Sequence, residues 1–185
     1  MIPSDLRKRL HLKIEILLRR AYGIGYELLF GRWFFAAYGR KNFVHPLASI
    51  RNHGAIHMGD QVVINRGVCL WRNTKLMIGN RVEINPGVCI YGDVTIGNNV
   101  MIAPNCTISA GRYELPLGTP MNQQVPIPGH VVICDDVWVG ANCSIVDGVT
   151  VAQGCVIGAG SVVTESTVPC GIYGGVPAKL LKMRM

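Results

Sequence analysis

The stretch "IGNRVEINPGVCIYGDVTIGNNVMIAPNCTI", residues 78–108, places an aliphatic side chain at every sixth position: Ile78, Ile84, Ile90, Ile96, Ile102 and Ile108. The residue that follows is often small or turn-forming, as at Gly79, Asn85, Gly97 and Ala103. The residue four places later is medium or small: Val82, Val88, Val94, Val100 and Cys106. This is the hexapeptide pattern of a parallel β-helix. Two inward positions in each six fill a narrow interior, and the small residue sits where the chain bends between flat faces. An antiparallel sandwich also alternates apolar and polar residues, but it does not hold a six-residue register for so long.

The same beat extends in both directions. Upstream, after a two-residue slip, it runs through Met58, Ile64 and Leu70; downstream it runs through Ile133, Val139, Ile145, Val151, Ile157 and Val163. Cys106, Cys143 and Cys155 fall at inward positions, where a small thiol acts as a filler. Stacked coils leave open ends that need covering. The N-terminal segment and the tail "VPAKLLKMRM", residues 176–185, are the candidates. Between Ile108 and Ile133 the beat stops, and residues 109–132 form a loop. A long insertion in a regular scaffold is usually functional.

Bulk composition agrees with one compact domain and a small appendage in 185 residues. Hydrophobic residues make up 49% and charged residues 16%, which excludes a disordered chain. The seven cysteines are odd in number and contain no C-x-x-C, so reduced thiols and a cytoplasmic location are expected. The net charge of +7 is uneven. Residues 1–41 hold nine Lys/Arg and three acids, a balance of +6, and the remainder holds nine and eight, a balance of +1. A near-neutral body argues against nucleic acid as a partner.

The chain divides into a basic helical segment, 1–44, and a β-helix domain, 45–185, that carries the loop 109–132. Ser4 and Asp5 can cap a helix whose apolar stripe is Leu6, Leu10, Ile14, Leu17 and Leu18. Arg20, Glu27 and Arg32 interrupt the apolar pieces, so no membrane span is expected. Two roles fit residues 4–41. They can close the end of the β-helix, or touch anionic lipid at the inner face of the membrane.

The hexapeptide register, "ICDDVWVGANCSIVDGVTVAQGCVIGAGSVVTE" (133–165) and "GGVPAKLL" (174–181) resemble the hexapeptide-repeat acyltransferases, most closely the sugar and polysaccharide O-acetyltransferases. The resemblance implies a left-handed parallel β-helix, a homotrimer, and acetyl-coenzyme A bound as co-substrate in a cleft between subunits. No metal is expected. The loop 109–132 then helps to wall that cleft. In the family a loop histidine acts as general base, removing the acceptor proton as the hydroxyl attacks the thioester. Backbone N–H groups hold the oxyanion. Here Pro104-Asn105-Cys106-Thr107-Ile108 leads, after four residues, to Tyr113 at the histidine position. A phenol with pKa of about 10 is a weak base at neutral pH.

His130, at the end of the loop, is the alternative base. Asn85, Asp93, Arg112 and Trp138 are the expected acceptor-side residues. Ala141, Ala159, Gly160, Thr164 and Lys179 are the expected coenzyme A contacts. His53 and His57 lie four apart, but in a β segment that spacing does not make a metal pair. A γ-class carbonic anhydrase would need three histidines in another arrangement. The expected function is acyl-coenzyme A-dependent O-acylation of a sugar hydroxyl in surface polysaccharide biosynthesis. The alternative is a catalytically silent β-helix that serves as a ligand-binding or structural subunit.

Overall fold

The computed structural model describes residue 25 and residues 32–71 and 75–185. The chain winds as a parallel β-helix with three flat faces. Its strands are two to four residues long until the C-terminal hairpin. The first face stacks Ala37–Tyr38, Ile56–Met58, Leu76–Ile78, Asp93–Ile96, His130–Ile133 and Thr150–Val151. The second stacks Phe43–Val44, Val63–Ile64, Glu83–Ile84, Met101–Ile102, Trp138–Val139, Val156–Ile157 and Gly171–Gly175. The third stacks Ser49–Ile50, Cys69–Trp71, Cys89–Tyr91, Thr107–Ser109, Ser144–Ile145 and Val162–Val163.

The interior is the column that the six-residue beat marks. Ile64, Ile84, Ile102, Val139 and Ile157 lie over one another in register on the second face, each with no exposed surface. The positions four residues on are also buried, with Cys106, Cys143 and Cys155 among them as expected. Each coil is three hexapeptides, as in Ile96 over Ile78 and Ile102 over Ile84. The first coils are longer. Ile50 pairs with Leu70, and Leu70 with Ile90, so the two-residue slip occurs twice, both times between the third face and the first. The strands Ala37–Tyr38 and Phe43–Val44 pair in register with the next coil, so the solenoid includes residues placed upstream of the 44/45 division.

The edge between the first and second faces carries a side-chain ladder. Asp60, Asn80, Asn98 and Asp135 each accept, through Oδ1, the backbone N–H of Arg40, Asp60, Asn80 and Asn98 respectively, at 2.7–2.9 Å. The next residue at each turn, Lys41, Gln61, Arg81, Asn99 or Asp136, is left-handed, with φ of 54–59°. The short side chains of Asp60, Asn80, Asn98 and Asp135, each bonded to the backbone of the preceding coil, brace the corner that these residues turn.

At its C-terminal end the chain reverses. Gly171–Gly175 pairs antiparallel with Ala178–Met183, and Arg184 bonds the Asp136 carboxylate at 2.9 Å. The tail, expected to cover that end, adds an antiparallel strand to the second face, with residues 179–185 exposed. The helix expected from Leu6, and most of the 4–41 segment with its two roles, lie outside the described residues. Among the described residues no helix is long and apolar enough to cross a membrane.

Candidate functional site

The loop leaves the third face after Ser109 and returns to the first at His130. Its base is a short antiparallel hairpin, in which Arg112 pairs with Ile127 and Tyr113 with Pro126. Gln124 is buried inside the loop and donates from Nε2 to the Thr119 carbonyl at 2.8 Å. A cavity of about 710 Å³ lies between this hairpin and the edge of the solenoid. Tyr91, Asp93, Ser109, Arg112, Tyr113 and Asn122 are among its walls. Gly92, at φ +75°, lets the chain pass so close to Ala110 that a Cβ would overlap the Ala110 carbonyl.

The hairpin is fastened from the next coil. Asp147, largely buried, accepts the Gly111 N–H at 3.0 Å and the Arg112 guanidinium at 2.8 Å. Gly129 leaves the room for this, since a Cβ there would overlap the Asp147 carboxylate. Arg112 therefore ties down the loop, while most of its side chain still faces solvent. Sequence reasoning passed over Asp147, which stands well beyond the loop in the chain.

The structure brings four of the expected residues to this place. Tyr113 and Arg112 stand on the hairpin. Asp93 opens the first-face strand beneath it and accepts the Lys75 backbone N–H at 2.8 Å. His130 is the register partner of Asp93 on the adjacent parallel strand, and its Nε2 lies 3.1 Å from Thr95 Oγ1. Asp93 thus stands in the cavity wall, while the His130 imidazole and the Thr95 hydroxyl meet beside it on the first face. Tyr91, which forms part of the wall, meets Trp71 edge to face at 6.0 Å, and the Arg51 guanidinium covers Trp71 at 4.4 Å.

The other expected residues lie elsewhere. Asn85, Ala141, Ala159 and Gly160 occupy the edge between the second and third faces. Gly160 donates to the Ala141 carbonyl at 2.8 Å, and nothing stands within 4 Å of a Cβ built on it. The backbone is therefore open at Gly160 on this edge. Trp138 stands on the second face, half exposed, with Met101 and Val156 as register partners. Thr164 follows the last strand of the third face, and Lys179 lies in the C-terminal hairpin, paired with Glu165 at 3.5 Å. Within one chain, the cavity and the small-residue edge face different directions.

His53 packs edge-on against Phe35 at 5.0 Å, and burial lowers its pKa from 6.5. It belongs to the first coil, remote in the chain from the loop. Among the described residues no group of three or more His, Cys, Asp or Glu is placed to hold a metal ion.

Comparison with known proteins places this architecture in a family. The family described as bacterial transferase hexapeptide (six repeats) matches residues 75–110 and 130–165, the coils on either side of the loop. A probable acetyltransferase of Mycobacterium tuberculosis is 31% identical over 160 residues, covering 85% of this chain and 45% of its own length. Galactoside O-acetyltransferase of Escherichia coli is 37% identical over 94 residues, covering 48% of this chain and 43% of its own. The chain thus spans under half the length of these relatives. Among solved structures, a single-substitution mutant of the N-acyltransferase AntD of Bacillus cereus, in complex with dTDP and coenzyme A, superposes with a TM-score of 0.74 at 26% identity. That match covers 82% of this chain and 85% of AntD. The chain belongs to the hexapeptide-repeat acyltransferase family.

Proposed function

We propose that the protein transfers an acyl group from coenzyme A to a sugar. The observation that carries this is the cavity beneath the loop, walled by Asp93 and Tyr113, with His130 beside Asp93 on the adjacent strand. The similar proteins include a galactoside O-acetyltransferase and the N-acyltransferase AntD, which was solved with dTDP and coenzyme A. In this scheme the thioester lies along the small residues Ala141, Ala159 and Gly160, with Thr164 and Lys179 toward the coenzyme's polar end. Two copies must then meet, so that the small-residue edge of one faces the cavity of the next. A homotrimer satisfies that need by repeating one contact around a ring. Trp138 and Asn85 reach the acceptor from the neighbouring chain.

For an acceptor hydroxyl, His130 is the base, because a phenol at 113 is a poor one at neutral pH. Asp93 and Thr95 then orient the imidazole or the sugar. Tyr113 itself favours a second acceptor: an amine attacks a thioester with its own lone pair and needs less help from a base. Likeness to an N-acyltransferase supports that acceptor too. Acetyl is the simplest acyl group for a cavity of this size. Surface polysaccharide synthesis in the cytoplasm, with residues 4–41 against the inner membrane face, is the setting that fits the basic N-terminal balance of +6.

The test measures free coenzyme A thiol from acetyl-coenzyme A with paired acceptors, a sugar and its amino-sugar analogue. Loss of transfer in His130→Ala with the hydroxyl acceptor supports His130 as base. Transfer to the amine alone, unchanged in His130→Ala, supports N-acylation. An inactive native chain that gains activity in Tyr113→His overturns the enzyme and leaves a silent β-helix subunit.

A further inference from the structure

We propose that Cys69 and Cys89 form a two-thiolate site for a soft monovalent d10 cation, such as Cu(I), on the outer surface of the third face. The two residues are direct register partners on adjacent parallel strands. Both are free and half-buried, and both point outward, opposite to the buried Leu70 and Ile90 that follow them. Each thiol turns the same way, donating toward the carbonyl two residues back: Cys69 to Gly67 at 3.7 Å and Cys89 to Gly87 at 3.8 Å. Two side chains in one orientation on neighbouring strands keep the strand spacing, about 4.8 Å.

That spacing selects the occupant. A disulfide accepts Cα atoms about 4.4–6.8 Å apart, so it closes here only if both thiols turn from their shared orientation toward each other. Two metal–thiolate bonds of about 2.3 Å, the length zinc makes to a thiolate, span about 4.6 Å in line, close to the strand spacing and reached with the thiols side by side. Thiolates select soft ions such as Cu(I). Among the described residues no third His, Cys, Asp or Glu completes a larger set, so tetrahedral zinc and the oxygen-seeking cations are not served. In the same outward column the neighbours are hydroxyls, Ser49 on one side and Thr107 on the other. The pair is therefore the whole site.

The surroundings fit the charge. Binding exchanges two thiol protons for one cation and leaves a bridged unit of charge −1. The Arg51 guanidinium, held over Trp71, brings positive charge to the same side of the solenoid. Both thiols must give up their protons to bind, so binding weakens as pH falls. Trp71 and Tyr91 are the next outward residues on the same two strands. They wall the site on one side, and Tyr91 also lines the cavity.

The test titrates the reduced full-length chain with Cu(I) against bathocuproine disulfonate, and separately with Ag(I) as a redox-inert probe. One ion per chain is expected, with release of two protons and quenching of tryptophan emission that Trp71→Phe removes. Cys69→Ser and Cys89→Ser should each weaken binding roughly 100-fold or more, because chelation is lost. Cys170→Ser, at an exposed thiol elsewhere, should leave it unchanged. Melting curves of the serine variants that match the native chain make the comparison fair; if one variant melts early, the alanine variant replaces it. Full-strength binding in both single variants, or no competition with bathocuproine disulfonate, overturns the site.

Discussion

Ile84 sits in the middle of the interior column, with Ile64 on one coil and Ile102 on the next, and none of it is exposed. Its neighbours are held by backbone ladders above and below, so they cannot close over a hole. Ile84→Ala should therefore cost about 2–5 kcal/mol, read as a lowered midpoint in chemical denaturation with an unchanged slope. Asp135 shows the same economy in polar form. The Asn98 backbone N–H, and then the Asn98 side chain, hold its carboxyl below the ordinary value of 3.8. Folding thus favours the ionised form. The resulting stability is full above 3.8 and is lost as pH falls through the lower folded value. Asp135→Asn keeps an oxygen for Asn98 but gains no proton. Its melting temperature should fall less steeply than the native one below about pH 4, measured by circular dichroism.

At the scale of elements, the loop is a hairpin whose base is tied to the next coil through Asp147. The Asp147 carboxylate takes both the Gly111 N–H and the Arg112 guanidinium, and the coils to either side do not depend on it. An ion pair this exposed on its arginine side contributes about 0.2–1 kcal/mol. Arg112→Ala should leave the melting temperature almost unchanged, yet speed proteolysis within residues 114–125. Failure would appear as an unaltered cleavage rate. The solenoid's strands were legible in the sequence because burial repeats at Ile78, Ile84 and Ile90 with no long-range information. The first coil was not, since Tyr38, Val44 and Ile50 precede a second slip that breaks the beat. The hairpin Arg112–Tyr113 with Pro126–Ile127 carries no periodic signal at all. Asp147 was missed for a related reason: its partner is a coil away, and only the stacking distance reveals it.

At the scale of the whole molecule, the separation of the candidate residues is itself informative. Asp93 and His130 become neighbours only because the coil following the loop stacks on the coil before it, which the sequence register implies but does not display. Asn85, Trp138 and Ala141 share no surface with the cavity, although a family pattern read along the chain groups them with it. One chain also leaves apolar side chains uncovered: Met101 beside Trp138 on the second face, and Leu115, Leu117 and Val125 on the loop. The loop and the second face point away from each other, so one chain cannot join them. A ring of copies can, with each loop laid on the next chain's second face. Apolar patches of this kind on a folded surface mark association sites. Trp138 is 50% exposed and lies on a flat, ladder-bonded strand, so a charge there does not disturb the interior. Trp138→Glu should leave circular dichroism and melting of the solenoid intact while lowering the mass seen in sedimentation from three chains to one. Acyl transfer should fall with the assembly, since the small-residue edge and the cavity would no longer meet. A variant that remains trimeric would remove Trp138 from the contact between chains, and a native chain that sediments as a monomer and still transfers would place both substrates on a single chain.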